Sequence, residues 1–191
     1  MSDALAQHIE RFVSIPKDDI ANIATYFKKL HLKKKENLLA EGKVCNSNYF
    51  VENGLLRLFY VKDNGTEQTT HFAMENWWLT DYNSFAAQKP ATFNIQAVEK
   101  SDVLALSYTA QEKLLREYPI LERYFRLIHQ RAHAASQFRI RWLYDLSKEQ
   151  AYNDFCNAYP EFVQRIPQYL LASFLGFTPE YLSEIRAKRK S

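Results

Sequence analysis

Residues 168–187 read QYLLASFLGFTPEYLSEIRA, and this stretch decides the architecture. Two short helices crossing at a steep angle need a small residue where they meet, and Ala172 supplies it. The turn between them favours a residue free to adopt positive φ, and Gly176 sits there. Leu171 and Leu175 anchor the first helix; Phe177, Leu182 and Ile185 anchor the turn and the second. Thr178-Pro179 gives the second helix an N-cap and a proline in its first turn. Any helical hairpin with a glycine turn explains Gly176 and part of the apolar spacing. It does not explain Ala172, Gly176, Leu182 and Ile185 together, followed at once by the basic run Arg186-Ala187-Lys188-Arg189-Lys190. The pattern predicts a DNA-binding helix-turn-helix.

With Leu182 and Ile185 facing inward, Glu180, Ser183, Glu184 and Ala187 project outward, flanked by Tyr181 and Lys188. The expected DNA-contacting set is Thr178, Glu180, Tyr181, Ser183, Glu184, Arg186, Lys188 and Arg189. A glutamate can accept a hydrogen bond from the exocyclic amine of cytosine. Two outward acids also repel phosphates, so backbone affinity must come from Arg186, Lys188, Arg189 and Lys190, joined by Lys148 and Arg165.

Upstream of this motif the chain reads as helices. Ser147-Lys148-Glu149-Gln150 has the form of a capping box and opens a helix that ends before Pro160, after which two more helical segments complete the chain. A long helix covers about 120–144. Along it Leu121, Ile128, Ala135 and Trp142 recur every seven residues, and Phe125, Ala132 and Arg139 sit four beyond the first three. That spacing predicts a dimer seam carried by Leu121, Phe125, Ile128, Ala132 and Ala135; a helix packed on its own barrel would show the same stripe.

From Leu32 to Tyr108 the period changes to two. Leu55–Val61 is a strong strand, Asp63-Asn64-Gly65 a turn, and Glu67–Phe72 its hairpin partner. Phe93–Val98 and Val103–Leu106 are two more strands. Short strands at this spacing predict an antiparallel barrel or roll. Before it, helices are expected over 3–13 and 17–29, the second opened by Pro16, Asp18 and Asp19.

Composition bounds the rest. The 191 residues are 47% hydrophobic and 25% charged, enough for a packed core. Only four glycines occur, which argues against a fold built on phosphate-binding glycine loops. The two cysteines, Cys45 and Cys156, are too few for an iron–sulfur cluster or a zinc ribbon. No signal peptide and no membrane span are read, so the expectation is a cytoplasmic protein without a membrane partner. His129 and His133 lie one helical turn apart, but no third ligand accompanies them, and no metal site is expected. No serine-hydrolase elbow or P-loop occurs, so no enzyme is expected.

Two N-terminal helices, a roll, a long helix and a C-terminal helix-turn-helix resemble, in order and length, the Crp/Fnr transcription regulators. The stretches Leu146–Gln150, Tyr159-Pro160-Glu161, Arg165-Ile166-Pro167 and Leu175–Ser183 are similar to a Bacteroidetes-type subgroup. The resemblance implies an α+β fold. An N-terminal antiparallel β-roll, or double-stranded β-helix, flanked by helices occupies 1–118. A long dimerisation helix occupies 119–145. An all-α helix-turn-helix domain lacking a full wing occupies 146–191. It further implies a homodimer that binds double-stranded DNA at half-sites about 34 Å apart, with RNA polymerase as a further partner. In such families the roll binds a cyclic nucleotide through a Gly-Glu-Leu turn and an Arg-Ser-Ala stretch. Here Thr80, Asp81 and Tyr82 fall on the first, followed by Asn83, and Ala91, Thr92 and Phe93 on the second. The position of the phosphate-binding arginine is Ala91, so cyclic AMP binding is expected to be lost or weak, and no other effector is identified. Trp77, Trp78, Tyr82, Phe85 and Phe93 form either an aromatic pocket or, the preferred reading, a filled core. The only tail after the recognition helix is about five residues, so phosphate contacts from a wing are not expected. The competing reading is a β-roll sensor or interaction module whose DNA binding has decayed, which the outward acids Glu180 and Glu184 favour.

Overall fold

The computed structural model describes residues 3–190; the side chains of Trp142, Arg189 and Lys190, invoked above, lie outside the described residues. Two short helices open the chain, α1 (Asp3–Glu10) and α2 (Lys17–Ala24). The second ends five residues before the sequence pattern suggests. Phe27 continues the apolar stripe of α2 equally well as it starts a strand. Antiparallel pairing from Phe27 opposite Leu106 to Leu32 opposite Ser101 places it in β1 (Phe27–Leu32).

Seven further strands follow: β2 (Asn37–Leu39), β3 (Ser47–Asn53), β4 (Leu56–Val61), β5 (Glu67–Ala73), β6 (Trp78–Leu79), β7 (Asn94–Ala97) and β8 (Ser101–Ser107). A short helix, α3 (Tyr82–Ala87), interrupts them. They form two four-stranded sheets, in the orders β1-β8-β3-β6 and β2-β7-β4-β5. This is an antiparallel β-roll within an α+β chain. Gly54 turns β3 into β4 at φ +101, and a Cβ there would lie 2.7 Å from the Cα of Ser101, so only glycine fits.

Alternation along the strands sends one set of side chains into the roll. Leu32, Leu39, Tyr49, Val51, Leu56, Leu58, Ile95, Ala97 and Val103 meet there with Cys45, Phe85 and Ala91. Each large aliphatic group so buried stabilises the roll by about 1.5–3 kcal/mol. The other face of the first sheet carries Phe50, Leu104 and Leu106. They pack with Leu5, Ile9 and Ile23, with Leu114 of α4 (Tyr108–Glu117), and with Leu121, Tyr124 and Phe125 of α5 (Ile120–Asp145). In this second cluster the Tyr124 hydroxyl receives the indole N–H of Trp78 at 2.8 Å and shares a 2.8 Å hydrogen bond with Nδ1 of the buried His8. Burial holds the Tyr124 phenol well above the ordinary tyrosine range.

The chain divides into two compact units: the roll and its helices through Tyr60 and over Thr70–His129, and a second formed by Val61–Thr69 with the chain from Gln130 onward. The division between the units falls inside α5, whose first turns are packed against the roll. The second unit contains α6 (Lys148–Ala158), α7 (Pro160–Arg165), α8 (Gln168–Leu175) and α9 (Pro179–Lys190). The expected capping box is formed: the Ser147 hydroxyl accepts from Gln150 N–H while the Gln150 side chain accepts from Ser147 N–H. The sequence reading missed α7, giving two helices after α6 where there are three. With six residues, α7 is too short to show a period. Tyr152, Phe155, Phe162, Ile166, Leu170 and Leu171 are buried in this unit.

Candidate nucleic-acid interface and effector pocket

The helix-turn-helix frame is assembled as its spacing requires. Ala172 and Leu171 are fully buried, as are Leu182 and Ile185 to within a few per cent. Gly176 adopts the left-handed conformation, φ 76 and ψ 27. Its N–H donates to Ser173 O, and the N–H of Phe177 donates to Ala172 O at 2.9 Å. These two bonds form a Schellman termination, which satisfies carbonyls that α8 cannot satisfy internally. Two residues later Thr178 caps α9: its hydroxyl accepts from Tyr181 N–H at 3.2 Å, and Pro179 starts the helix.

Because Leu182 and Ile185 turn inward, Glu180, Tyr181, Ser183, Glu184 and Lys188 lie exposed along α9, with Arg186 half-buried. Two members of the expected contact set are partly committed elsewhere. The Thr178 hydroxyl serves the cap, and the Ser183 hydroxyl donates to Pro179 O at 2.9 Å, leaving it to act toward a ligand only as an acceptor. Arg189 falls outside the described side chains. Lys148 stands 5.4 Å from the centre of the Tyr181 ring, so one of the expected cations does lie beside α9. Gln168 and Tyr169, which the sequence reading passed over, are exposed in the first turn of α8, where no side chain caps the helix. The signal was available: Pro167 precedes a helix start that has no Ser, Thr, Asp or Asn at its N-cap.

The roll positions matching a cyclic-nucleotide cassette have other occupations. Asp81 is buried and N-caps α3, its Oδ1 accepting from Ser84 N–H at 3.1 Å. Thr80 is buried too and donates to Ser47 O at 3.0 Å, with Cys45 Sγ 3.2 Å away. Ala91 is buried in the roll, and its N–H donates to Lys43 O while its carbonyl accepts from Gly42 N–H, both at 2.9 Å. Tyr82, Asn83 and Thr92 are exposed. Three of the six residues are thus buried within the roll and three are exposed.

The aromatic residues divide likewise. Phe85 fills the roll with Phe93 packed against it, and Trp78 belongs to the outer cluster, as the filled-core reading expects. Trp77 is 49% and Tyr82 42% exposed, contrary to it. Their placement follows from a turn at Asn76, at φ 67, and from the first position of α3. The Tyr82 ring meets the edge of His129 at 5.0 Å, and burial lowers the His129 pKa. Among the described residues no group of three or more His, Cys, Asp or Glu is placed to hold a metal ion. No described helix is long and apolar enough to cross a membrane.

Of the expected dimer-seam residues, Leu121 and Phe125 are 1% and 6% exposed and packed in the roll's outer cluster, with Ile128 against it. Their heptad spacing serves their own protomer. Ala132 and Ala135 are exposed, and Phe138, one turn beyond Ala135, is 63% exposed.

Residues 29–118 match the family model of the cyclic nucleotide-binding domain. The sequence matches no curated protein. Among solved structures the chain is similar to the global regulator CLP of Xanthomonas campestris, described as responsive to cyclic di-GMP, with 12% identity over 92% of each chain and a TM-score of 0.70. It is similar to a regulator of the Crp/Fnr family from Eubacterium rectale, with 13% identity, 92% of this chain and 84% of that one covered, and a TM-score of 0.70. It is also similar to the catabolite activator protein of Thermus thermophilus, with 20% identity, 95% and 85% covered, and a TM-score of 0.57.

Proposed function

On the premise of a Crp/Fnr-type fold built on a cyclic-nucleotide-binding domain, we propose that this chain is a cytoplasmic, homodimeric, DNA-binding transcription regulator whose roll no longer takes cyclic AMP. One observation carries the DNA-binding part. The second helix of a correctly terminated helix-turn-helix presents Glu180, Tyr181, Ser183, Glu184 and Lys188 to solvent while Leu182 and Ile185 hold it from behind. An exposed polar helix on a rigid two-helix frame suits the major groove. Arg186 and Lys188 supply cations for phosphates, and the second copy joins through Ala132, Ala135 and Phe138 of α5.

The loss of cyclic AMP rests on Ala91 and Asp81. A buried methyl replaces the cation that would neutralise the phosphate, and one oxygen of the remaining acid, Asp81 Oδ1, is engaged in capping α3. The competing reading, a roll-based interaction module, draws on Glu180 and Glu184, two exposed acids that repel phosphates.

Selection from a random duplex pool, followed by a salt titration of the selected sequence, separates the two. A regulator gives enrichment of a two-fold symmetric site and an affinity that falls with added salt. No enrichment at low salt leaves the interaction module. Calorimetry with cyclic AMP tests the roll, and micromolar binding would refute the pocket argument.

A further inference from the structure

The last turn of α8 is gripped from two sides by groups of its own compact unit. A helix leaves its last four carbonyls without internal donors, and they form its negative end. In α8 the Schellman turn takes two of them, yet Ser173 O also receives the side-chain amide of Gln68, and Phe174 O receives Nη2 of Arg139 at 2.8 Å. The Arg139 guanidinium lies 4.0 Å over the Phe174 ring, and burial lowers its pKa to about 10. Opposite, the Ser173 hydroxyl accepts from Thr69 N–H and donates to Glu67 O, both at 2.8 Å. It thus bonds the backbone of β5, the edge strand of its sheet, much as a neighbouring strand would. Heptad position 139 carries arginine where a seam would place an apolar group, which agrees with this use. The grip leaves Gln168, Tyr169 and the outer face of α9 exposed.

We propose that Ser173 and Arg139 are positioning residues that lock α8, and through it the recognition helix, to the 61–69 segment and to the Arg139 turn of α5, all within the second unit, in a DNA-competent arrangement. The proposal rests on the DNA-binding reading. A lock of this kind supplies preorganisation, without adding a contact to DNA.

The test uses full-length protein, a duplex selected by the wild type, and amide hydrogen exchange. Ser173→Val is expected to speed exchange over 61–69 and to weaken duplex binding roughly tenfold, the effect of losing one or two net hydrogen bonds. The dependence of log affinity on log salt should keep its slope, since no phosphate contact is removed. Ser173→Thr restores the hydroxyl and both readouts. Arg139→Met reproduces the affinity loss, and Arg139→Lys recovers part of it. Unchanged exchange over 61–69 in Ser173→Val overturns the lock, as does full affinity in both disruptive variants. If the wild type binds no duplex, the DNA-binding reading and the positioning role fall together, and faster exchange in Ser173→Val then supports the lock alone.

Discussion

Replacing Gly176 by valine tests the frame on which the DNA-binding reading stands. Gly176 holds φ 76, and a Cβ added there meets no heavy atom within 4 Å. The cost is therefore conformational and not steric. An L-residue in the left-handed region costs about 1–2 kcal/mol, and a β-branched side chain raises that to roughly 2–3 kcal/mol because its χ1 is also restricted. If the turn relaxes instead, the bonds from Gly176 and Phe177 to Ser173 O and Ala172 O are lost, at about 1 kcal/mol each. Both routes lead to about 2–3 kcal/mol, a 30- to 150-fold fall in the population of the intact turn. Asparagine tolerates the left-handed region and should cost well under 1 kcal/mol. Urea unfolding followed by far-ultraviolet circular dichroism gives the stabilities, and anisotropy with a selected duplex gives the binding. The expected order is glycine, asparagine, alanine, valine in both assays. Equal stability and binding for the valine and asparagine variants would refute the argument.

Three further outcomes are expected. Gly54→Ala combines positive φ with overlap on the Ser101 backbone and should cost about 3 kcal/mol or more, lowering the roll's melting temperature by around 10 °C; an unchanged melting curve contradicts the close approach at Ser101. Leu121→Ala should destabilise by about 2–5 kcal/mol without altering oligomeric state, while Phe138→Asp should leave stability nearly intact and shift sedimentation toward monomer; the reverse pattern restores the heptad stripe as the seam. His129 has a folded pKa lowered by burial, so the folded state disfavours its protonation. Its contribution is fully present above the unfolded value of about 6.5 and is lost as pH falls through the lower folded value. The wild-type melting temperature should therefore drop more than that of His129→Gln on acidification from pH 7.5 to 5.5, and parallel curves would remove His129 from the explanation.

What could be read from the sequence was whatever is decided locally. Gly176, the Thr178-Pro179 start and the Ser147–Gln150 box each satisfy backbone groups a few residues away, so type and spacing suffice. Leu121 and Phe125 show where this stops. A stripe on a helix specifies that one face is covered, and an own sheet or a second copy covers it equally well. Asp81 shows the same limit for a site: a carboxylate at the expected place is compatible with holding a ribose or with capping α3, and the cap that its Oδ1 forms with Ser84 N–H became visible only in the structure. Ser173 and Arg139 carried no readable signal, because their partners are 104 and 35 residues away.

The hydroxyl of Tyr124 joins an N-terminal histidine to the indole of Trp78. The protein thereby carries an intrinsic optical reporter for the seating of its first helix. Detachment of α1 would remove His8 and Phe12 from the surroundings of that phenol and admit water to the indole, shifting its emission to the red. In a variant with Trp77 and Trp142 changed to phenylalanine, a stopped-flow trace of the remaining tryptophan emission would time the docking of the N-terminal segment during folding with no label attached.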